Sequence, residues 1–595
     1  MSTQANPLRS LGWALACLLL PLPAVAQWTP GGVSLGGYEL NGRGAVSDGA
    51  GGVIVVWDDR RDGPYPNLSD VYVQRWDATG VEQWGAGGLG VCTDDWEASQ
   101  SVIVGDGAGG AVVAWVDSRT TGTGYGIYAQ HVTAAGATTW TDQGVLASSA
   151  GPFIGNINAV ADGSGGIVVV WMDYRTGNNV VFAQRVDATG TPLWAGDVNV
   201  SNVATTHAEP CVLETLDGGV IVAWSSGTSS NRDVHAQRLD ATGARVWNSG
   251  VATVVCGAVA SQQSTQMVSD GSGGAVLTWV DRRFGDNIYA QRINASGAPQ
   301  WMTDGVEVCM DEYPQSYPLA CPDGTGGAFI VWSDQRDQAN GGGAPRPGNA
   351  PGQIFITEPD LYMQRIDGTG TAMWMTDGIA VSAAAAYQYL GGIISDGAGG
   401  AVVAWADDSD NDLNDDIVLQ RYNSAGSEVW TPGGVVHATG AGHRNVIGLV
   451  SDGGSNTIPV WTTYIETALA SAPRAEVAAQ ISSVYVQRVD NTSGNCTCGP
   501  SGVGAQRTSR LILTEAVPNP SAGAVELGLF LEREHELAVD VFDVRGRRVL
   551  AQRPGPASAG WHALRLDARL LPSGVYFYRV TAGADTGTRK IVIQH

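Results

Sequence analysis

Short apolar runs recur along most of the chain, and each is preceded by a glycine-rich turn. Residues 111–115 (Ala-Val-Val-Ala-Trp) are apolar at every position, which is typical of a β-strand that is covered on both faces. The turn before such a run has the form Asp-Gly-x-Gly-Gly, as in residues 48–52. Because the runs lack the 3.6-residue period of an amphipathic helix, the pattern predicts an all-β chain of short strands and tight turns.

The apolar run that ends in tryptophan repeats eight times. The copies end at Trp57, Trp115, Trp171, Trp224, Trp279, Trp332, Trp405 and Trp461. Successive copies lie 53 to 58 residues apart, except for one spacing of 73 residues. A fixed period with one insertion indicates a repeat architecture.

One further element follows every copy, and a second follows each of the first seven. The first contains a Gln-Arg or Gln-His pair and leads into a turn such as Asp77-Ala-Thr-Gly80, and the second is a tryptophan followed by Gly-Val or an equivalent pair. These tryptophans are Trp84, Trp140, Trp194, Trp247, Trp301, Trp374 and Trp430. Each unit therefore holds about four short strands, which favours a β-propeller over a solenoid.

The ends of the repeat array predict a closed ring. The last unit lacks the tryptophan-to-valine element, and the missing copy lies at residues 28–33, which match residues 430–435 at every position. An N-terminal strand that completes the last blade removes an exposed sheet edge. We therefore predict an eight-bladed β-propeller over residues 27–490. Two four-bladed rings are the alternative, although nothing near Trp247 resembles a linker.

Strand parity separates the two faces of such a ring. The turns after the first and third strands of each blade are short and uniform. The connections after the second and fourth strands vary, above all at residues 62–69, 337–359, 409–416 and 463–482. We call the side that carries these connections the variable face. Because loops on a rigid scaffold often carry function, it is the predicted binding face.

Aromatic residues mark the connections between blades on the variable face. The candidate binding residues are Trp96, Phe153, Tyr313, Tyr317, Tyr387 and Tyr389. Exposed aromatic rings beside carboxylates suit recognition of a carbohydrate or a peptide. Packing of the same rings between neighbouring blades is the alternative interpretation.

A Trp-x-Asp-x-Arg motif lies where the second strand of five blades reaches the variable face. Its first copy is Trp57, Asp59 and Arg61, and alternation along a strand places the three side chains on one side. An ion pair that caps the blade is one interpretation, and a ligand-binding ring is the other. Blade four, with Ser226 and Thr228, and blade eight lack the motif. Any specialised site should therefore lie where the pattern breaks.

Composition limits the partners of the chain. It carries 58 acidic against 33 basic residues, for a formal net charge of −25, so nucleic acid is not an expected ligand. Residues 1–26 have the layout of a cleavable signal peptide, with Arg9, an apolar run and Ala-Val-Ala before Gln27. A lipoprotein signal at Cys17 is the alternative. No later stretch has the length of an apolar transmembrane segment.

Candidate chemistry outside the repeats is sparse. The acidic run 407–416 offers carboxylates for calcium at Asp410, Asp412, Asp415 and Asp416, although it lacks the pattern of an EF-hand loop. No other cofactor is expected. Cys309 and Cys321 flank one connection and could form a disulfide. The repeat resembles the Asp-box of sialidase-like propellers, but its spacing differs and no catalytic residue can be named.

A different β-rich pattern follows the repeats. Residues 491–510 read as a linker, and residues 511–595 predict about seven short strands in an immunoglobulin-like β-sandwich. Pro518-Asn519-Pro520 and residues 541–546, 571–577 and 589–593 resemble the C-terminal sorting domain of type IX secretion and the related FlgD-type immunoglobulin-like domain. The resemblance implies handling by an outer-membrane secretion machinery and an extracellular or outer-membrane surface location.

These features predict a secreted or cell-surface binding or adhesion protein whose propeller loops hold a carbohydrate or a protein. A secreted polysaccharide-active enzyme is the alternative.

Overall fold

The computed structural model describes residues 28–496 and 511–594. Gaps within the first range are 29–31, 35–39, 62–67, 120–123, 150, 152, 202–205, 337–358, 383–387, 409–413, 441 and 467–479, and gaps within the second are 518–523, 532–534, 546, 558–559, 568, 570 and 584. The predicted signal peptide therefore lies outside the described residues, as do Tyr387, Asp410, Asp412 and residues 518–520. The chain divides into two compact units, and the second takes in Pro500–His595.

The first unit is a set of eight antiparallel sheets, seven with four strands and one with five, which we number as blades one to eight. The first strand, β1 (Val33–Ser34), belongs to blade eight. Blade one is β2 (Leu40–Ser47), β3 (Val53–Asp59), β4 (Asp70–Trp76) and β5 (Leu89–Cys92). Blade two is β6 (Ala98–Gly105), β7 (Ala111–Asp117), β8 (Gly126–Val132) and β9 (Val145–Ser149). Blade three is β10 (Ile154–Ala161), β11 (Ile167–Asp173), β12 (Val180–Val186) and β13 (Val198–Asn199). Blade four is β14 (His207–Glu214), β15 (Val220–Thr228), β16 (Asn231–Leu239) and β17 (Thr253–Cys256), with a 3-10 turn at Trp247–Gly250.

The remaining blades repeat this order. Blade five is β18 (Gln262–Ser269), β19 (Ala275–Asp281), β20 (Asn287–Ile293) and β21 (Val306–Cys309). Blade six is β22 (Gln315–Pro322), β23 (Ala328–Asp334), β24 (Asp360–Ile366) and β25 (Ile379–Ser382). Blade seven is β26 (Gln388–Ser395), β27 (Ala401–Asp407), β28 (Asp416–Tyr422) and β29 (Val435–Ala438). Blade eight is β30 (His443–Ser451), β31 (Asn456–Glu466) and β32 (Gln480–Val486) together with β1, and β33 (Val489–Asp490) also pairs with β31.

The blades form one closed ring. The first strand of each blade packs against the first strand of the next blade, from β2 on β6 through to β26 on β30, and β30 packs on β2. Strand β1 pairs antiparallel with β32, with Val33 opposite Val486 and Ser34 opposite Tyr485. The predicted eight-bladed ring with N-terminal closure is therefore confirmed, and the alternative of two four-bladed rings is wrong.

The hydrophobic core lies between neighbouring blades. The second strand is buried along its whole length in blades one, two, five, six and seven. One cluster joins Val112 and Ile127 of blade two to Ile167 and Trp171 of blade three. A strand in the middle of a blade is covered on both faces by adjacent blades, so consecutive apolar residues are stable there.

An ion pair or hydrogen bond fixes the tight turn between the first two strands of every blade. The aspartate of the turn contacts the arginine or histidine that follows the repeated glutamine. The pairs are Asp48–Arg75, Asp106–His131, Asp162–Arg185, Asp217–Arg238, Asp270–Arg292, Asp323–Arg365, Asp396–Arg421 and Asp452–Arg488. In blade four the carboxylate comes from Asp217, two positions later in the turn than in the other blades, where Thr215 takes the usual place.

A hydrogen bond crosses every joint of the ring. The tryptophan that precedes the fourth strand of each blade donates its indole N–H to a backbone carbonyl in the turn of the next blade. The pairs are Trp28–Ala78, Trp84–Ala134, Trp140–Ala188, Trp194–Ala241, Trp247–Ala295, Trp301–Gly368, Trp374–Ser424 and Trp430–Asn491. Gly80 has φ +82°, and a Cβ there would meet the Trp28 ring at 2.9 Å, so the turn requires glycine.

The propeller continues beyond residue 490, where the predicted linker begins. Asn491 accepts the indole N–H of Trp430 at 3.0 Å, and Gly494 packs on the same ring. The backbone of Val489 pairs with that of Cys496 in an isolated antiparallel β-bridge. Cys496 is itself disulfide-bonded. The start of the predicted linker is thus part of the last turn of blade eight.

The second unit is a β-sandwich. One sheet contains β34 (Leu511–Val517), β35 (Ala524–Leu531) and β38 (Gly560–Asp567). The other contains β36 (His535–Asp543), β37 (Arg548–Ala557), β39 (Gly574–Ala582) and β40 (Asp585–Ile593). Leu527 and Leu529 of the first sheet share a core with Val541 and Tyr578 of the second. The seven strands agree with the predicted immunoglobulin-like sandwich. In the part of the chain that the structure describes, no helix is long and apolar enough to cross a membrane.

Candidate binding face

The Trp-x-Asp-x-Arg motif caps the variable-face end of its blade. In blade five the Trp279 indole N–H donates to Asp281 Oδ2 at 3.0 Å, and Arg283 Nε donates to Asp281 Oδ1 at 2.9 Å. Burial raises the pKa of the Asp281 carboxyl, but the hydrogen bonds from Arg283 and Trp279 outweigh it and leave the pKa below its usual value. The same indole-to-carboxylate bond joins Trp57–Asp59, Trp115–Asp117, Trp171–Asp173, Trp332–Asp334 and Trp405–Asp407.

The arginine of the motif also covers an aromatic ring of the third strand. In blade one the Arg61 guanidinium carbon lies 3.9 Å from the centroid of Tyr72, which is stacked on Trp57 at 6.2 Å. The same cover occurs at Arg119–Tyr128, Arg175–Phe182, Arg283–Tyr289 and Arg336–Tyr362. Both charged groups of the motif are therefore committed to the blade, and the motif acts as a structural cap.

Three cysteines contact these arginines. Cys92, Cys256 and Cys309 lie 3.0, 3.2 and 3.1 Å from the arginine Nη2 of the next blade. Burial raises the pKa of all three thiols, that of Cys256 to about 12. These cysteines are buried partners of the cap rather than reactive groups.

The predicted Cys309–Cys321 disulfide is not formed, and both thiols are free. Cys309 packs in the layer between blades five and six, with Val308 and Trp332. Cys321 packs in the next layer, with Phe329 and Ala401. The two side chains therefore lie on opposite sides of blade six. Spacing along the sequence does not reveal this separation.

Cys92, Asp94 and Asp117 bring their ligand atoms within 4.8 Å of one another. The guanidinium of Arg119 lies among them, with Nη1 3.0 Å from Asp94 and Nη2 3.0 Å from the Cys92 sulfur. A guanidinium that already neutralises these groups takes the place that a metal ion would need.

The acidic run 407–416 is described only in part. Asp415 is buried and accepts a hydrogen bond from His443 Nδ1 at 3.0 Å and one from the Arg444 backbone N–H at 3.3 Å. Asp416 lies opposite Asp407 in the ladder of blade seven. Because Asp410 and Asp412 lie outside the described residues, the calcium site stays a prediction.

Four of the predicted aromatic residues are exposed. The exposed fractions are 51% for Trp96, 61% for Phe153, 71% for Tyr317 and 49% for Tyr389. Tyr313 is partly buried. These four rings are therefore not consumed by packing between blades.

Three further exposed aromatic residues lie in the loops after the second strand: Tyr125, Tyr174 and Phe284. Tyr174 stands between Asp173 and Arg175, and Phe284 directly follows Arg283. Tyr174 directly follows β11 and occupies the variable position between the aspartate and the arginine of the motif. The sequence signal for this residue was therefore an aromatic side chain at that variable position.

Tyr125, Phe153 and Tyr174 belong to neighbouring backbone segments, and we call them the aromatic patch. The Tyr174 backbone N–H donates to the Phe153 carbonyl at 3.2 Å. The Tyr125 backbone N–H donates to the carbonyl of Gly151, two residues before Phe153, at 3.3 Å. The patch thus joins loops of blades two and three on the variable face.

The chain combines a repeat-built propeller with a separate β-sandwich, and this β-sandwich marks it as an exported protein. Residues 516–594 match the family model of the secretion system C-terminal sorting domain, which confirms the resemblance found in the sequence. The C-terminal segment is therefore a sorting domain, and it places the protein at the cell surface or in the extracellular space.

No curated protein sequence matches the chain. Among solved structures, the chain is similar to a PL25 ulvan lyase bound to a GlcA–Rha3S ligand, with 10% identity, a TM-score of 0.41 and coverage of 78% of this chain and 97% of that one. An α-L-arabinofuranosidase from Fusarium graminearum matches at 11% identity and TM-score 0.30, covering 56% and 93%. An α-L-arabinanase from Penicillium chrysogenum matches at 13% identity and TM-score 0.27, covering 56% and 91%. Such identities transfer no activity to this chain.

Proposed function

We propose that the exported protein is a binding or adhesion protein whose propeller holds a glycan on the variable face. The observation that carries the proposal is the aromatic patch, three exposed rings on adjoining loops of a rigid scaffold. The flat face of an aromatic ring packs on the C–H surface of a pyranose, and polar groups beside it select among hydroxyl patterns.

The capped carboxylates favour binding over hydrolysis. A glycosidase needs one carboxyl group as acid and a second as base or nucleophile, at about 5–9 Å separation. Asp59, Asp173 and Asp281 are buried and hydrogen-bonded to both arginine and indole groups. The oxygens of these three carboxylates are thus already engaged by groups of their own blade, which makes them poor candidates for the acid and base of a glycosidase.

The mature full-length protein on a glycan array tests the proposal, followed by calorimetry with the glycans that bind. We expect binding that is lost in Phe153→Ala and kept in Leu216→Ala. Leu216 is a matched control because it is 95% exposed but lies in a tight turn, on the opposite face. Binding that survives in Phe153→Ala, or turnover of the glycan, contradicts the proposal.

A further inference from the structure

Blade four has the strands of the other blades but a different cap. Ser226 and Thr228 stand where the motif has aspartate and arginine, so the Trp224 indole has no carboxylate two residues ahead. His235 replaces the tyrosine or phenylalanine that stacks on this tryptophan elsewhere, and its ring lies 6.0 Å from the Trp224 ring at 14°. The structural cap of blade four is therefore missing.

The missing cap leaves an unsatisfied donor. The Trp224 side chain is fully buried, and its Nε1 has no hydrogen-bond partner among the described residues. In six other blades the same atom donates to aspartate at 2.8–3.2 Å. A buried N–H without an acceptor is unfavourable.

An acceptor lies on the same side of the blade. Asp233 stands directly opposite Ser226 in the ladder, and directly opposed residues of an antiparallel pair share a face. Asp233 is partly exposed, and among the described residues its carboxylate forms no ion pair. Burial lowers the pKa of His235, and the nearby Asp233 raises it by a smaller amount.

The site adjoins the aromatic patch. The backbone N–H of His207, the first residue of blade four, donates at 2.8 Å to the carbonyl of Asn179, in the blade-three loop that also carries Tyr174. The His207 ring meets Trp224 edge-on at 5.9 Å, and its Nε2 lies 2.8 Å from Ser201 Oγ. The variable-face end of blade four therefore adjoins the loop that carries Tyr174.

We propose that the variable-face end of blade four binds a hydroxyl group of a neutral sugar. The hydroxyl oxygen accepts the Trp224 indole N–H, and its proton is donated to Asp233. A hydroxyl fits because it both accepts and donates, whereas the Asp233 charge opposes a carboxylate or sulfate. The inference rests on the proposed glycan-binding function and assigns its polar anchor.

The test uses the mature full-length protein labelled with ¹⁵N-tryptophan, with the Trp224 indole signal assigned through Trp224→Phe. The probes are glucose, galactose, mannose and rhamnose, with glucuronate and acetate as charged counterparts. We expect at least one neutral sugar to shift this signal. The double variant S226D/T228R restores the cap, and we expect it to fold and to lose the response, because the introduced carboxylate occupies the indole N–H.

Asp233→Asn should weaken the response about tenfold, because a neutral acceptor replaces a charged one, and Leu216→Ala should leave it unchanged. A silent Trp224 signal with every neutral sugar overturns the inference, as does a larger response to glucuronate or acetate, or an undiminished response in the double variant. These results are distinguishable from failure of the proposed function, in which no glycan binds on the array. Array binding that depends on Phe153 with a silent Trp224 signal refutes the blade-four site alone.

Discussion

The indole nitrogen of Trp28 lies 2.9 Å from the carbonyl oxygen of Ala78, fifty positions along the chain, and joins blade eight to blade one. Arg488 Nη1 donates to the same oxygen at 3.2 Å. The corresponding tryptophan–carbonyl bond crosses all seven other joints. This joint differs because Trp28 precedes β1, the strand that completes blade eight from the N-terminal side, so only noncovalent pairing between β1 and β32 holds this strand in its blade.

Loss of the closing strand should open the ring. Deletion of residues 27–36 removes Trp28 and β1, and leaves β32 as an exposed edge. We expect a lower melting temperature and a loss of cooperative unfolding, or aggregation. Trp28→Ala alone should cost about 3–5 kcal/mol, as for other buried aromatic truncations. Denaturant unfolding of both variants is the measurement, and a deletion variant with the parent's midpoint and slope refutes the closure.

The caps predict acid sensitivity. The folded-state pKa of Asp281 is lowered, so the stability that this group contributes is present above the unfolded pKa of about 4 and is lost as the pH falls through the folded pKa. Asp281→Asn should cost about 3–5 kcal/mol at pH 7, because Arg283 loses its buried partner. The cost should shrink at low pH.

Asp217→Asn is the matched control for this measurement. It also removes an arginine partner, but the Asp217 side chain is 61% exposed, so the cost should stay below about 1 kcal/mol. Equal costs for the two variants across the pH range contradict the assignment of the cap as a buried ion pair.

The aromatic patch predicts a graded loss of glycan affinity. Tyr174→Ala should weaken binding by about 1–2 kcal/mol, because it removes one stacking ring, and Tyr174→Phe should keep most of the affinity. Calorimetry with an array-selected glycan measures both. If Tyr174→Phe loses as much affinity as Tyr174→Ala, the hydroxyl rather than ring stacking carries the contact.

The five cysteines that are free among the described residues should resist thiol reagents in the folded protein. Cys92, Cys211, Cys256, Cys309 and Cys321 are all buried, and burial raises the pKa of Cys211 and Cys256 to about 12. At pH 8 the thiolate fraction is therefore very small. Titration with a chromogenic disulfide should label none of the five in minutes and all five in denaturant. Rapid labelling of the native protein contradicts their placement.

The sorting domain should be needed for release but not for folding of the propeller. The ring is completed by residues before 497, so a chain without residues 511–595 should keep its unfolding midpoint. In the native host it should accumulate in the periplasm, while the full chain reaches the surface or medium. Fractionation of both strains decides this, and equal surface levels contradict a sorting role.

The sequence alone predicted the ring, because the apolar run that marks a blade occurs eight times. The match of residues 28–33 to 430–435 located the closing strand. Pairwise placement was harder to predict. Cys309 and Cys321 are near in sequence, yet opposite faces of one blade separate them, and only the register of the strands shows this.

The candidate site was predicted in part. Exposure of Trp96 and Phe153 was one of two interpretations that the sequence left open, beside packing of these rings between blades. Trp224 could be singled out because Ser226 breaks the motif, but its unsatisfied nitrogen depends on which side chains fill the space in three dimensions. The proposed role of Asp233 depends on the strand register that places it opposite Ser226. The sequence did not reveal this register, because the loops after the second strand vary in length.

The closure of blade eight by β1 also fixes the order in which the molecule can be completed. The segment that is synthesised first belongs to the blade that is synthesised last, so Val33 has no partner until Val486 has been made. Until then the chain is an open arc with two unpaired edges, and the final pairing joins residues at the extreme ends of the repeat array. An exported chain built in this way reaches its closed form only after all of blade eight has been delivered.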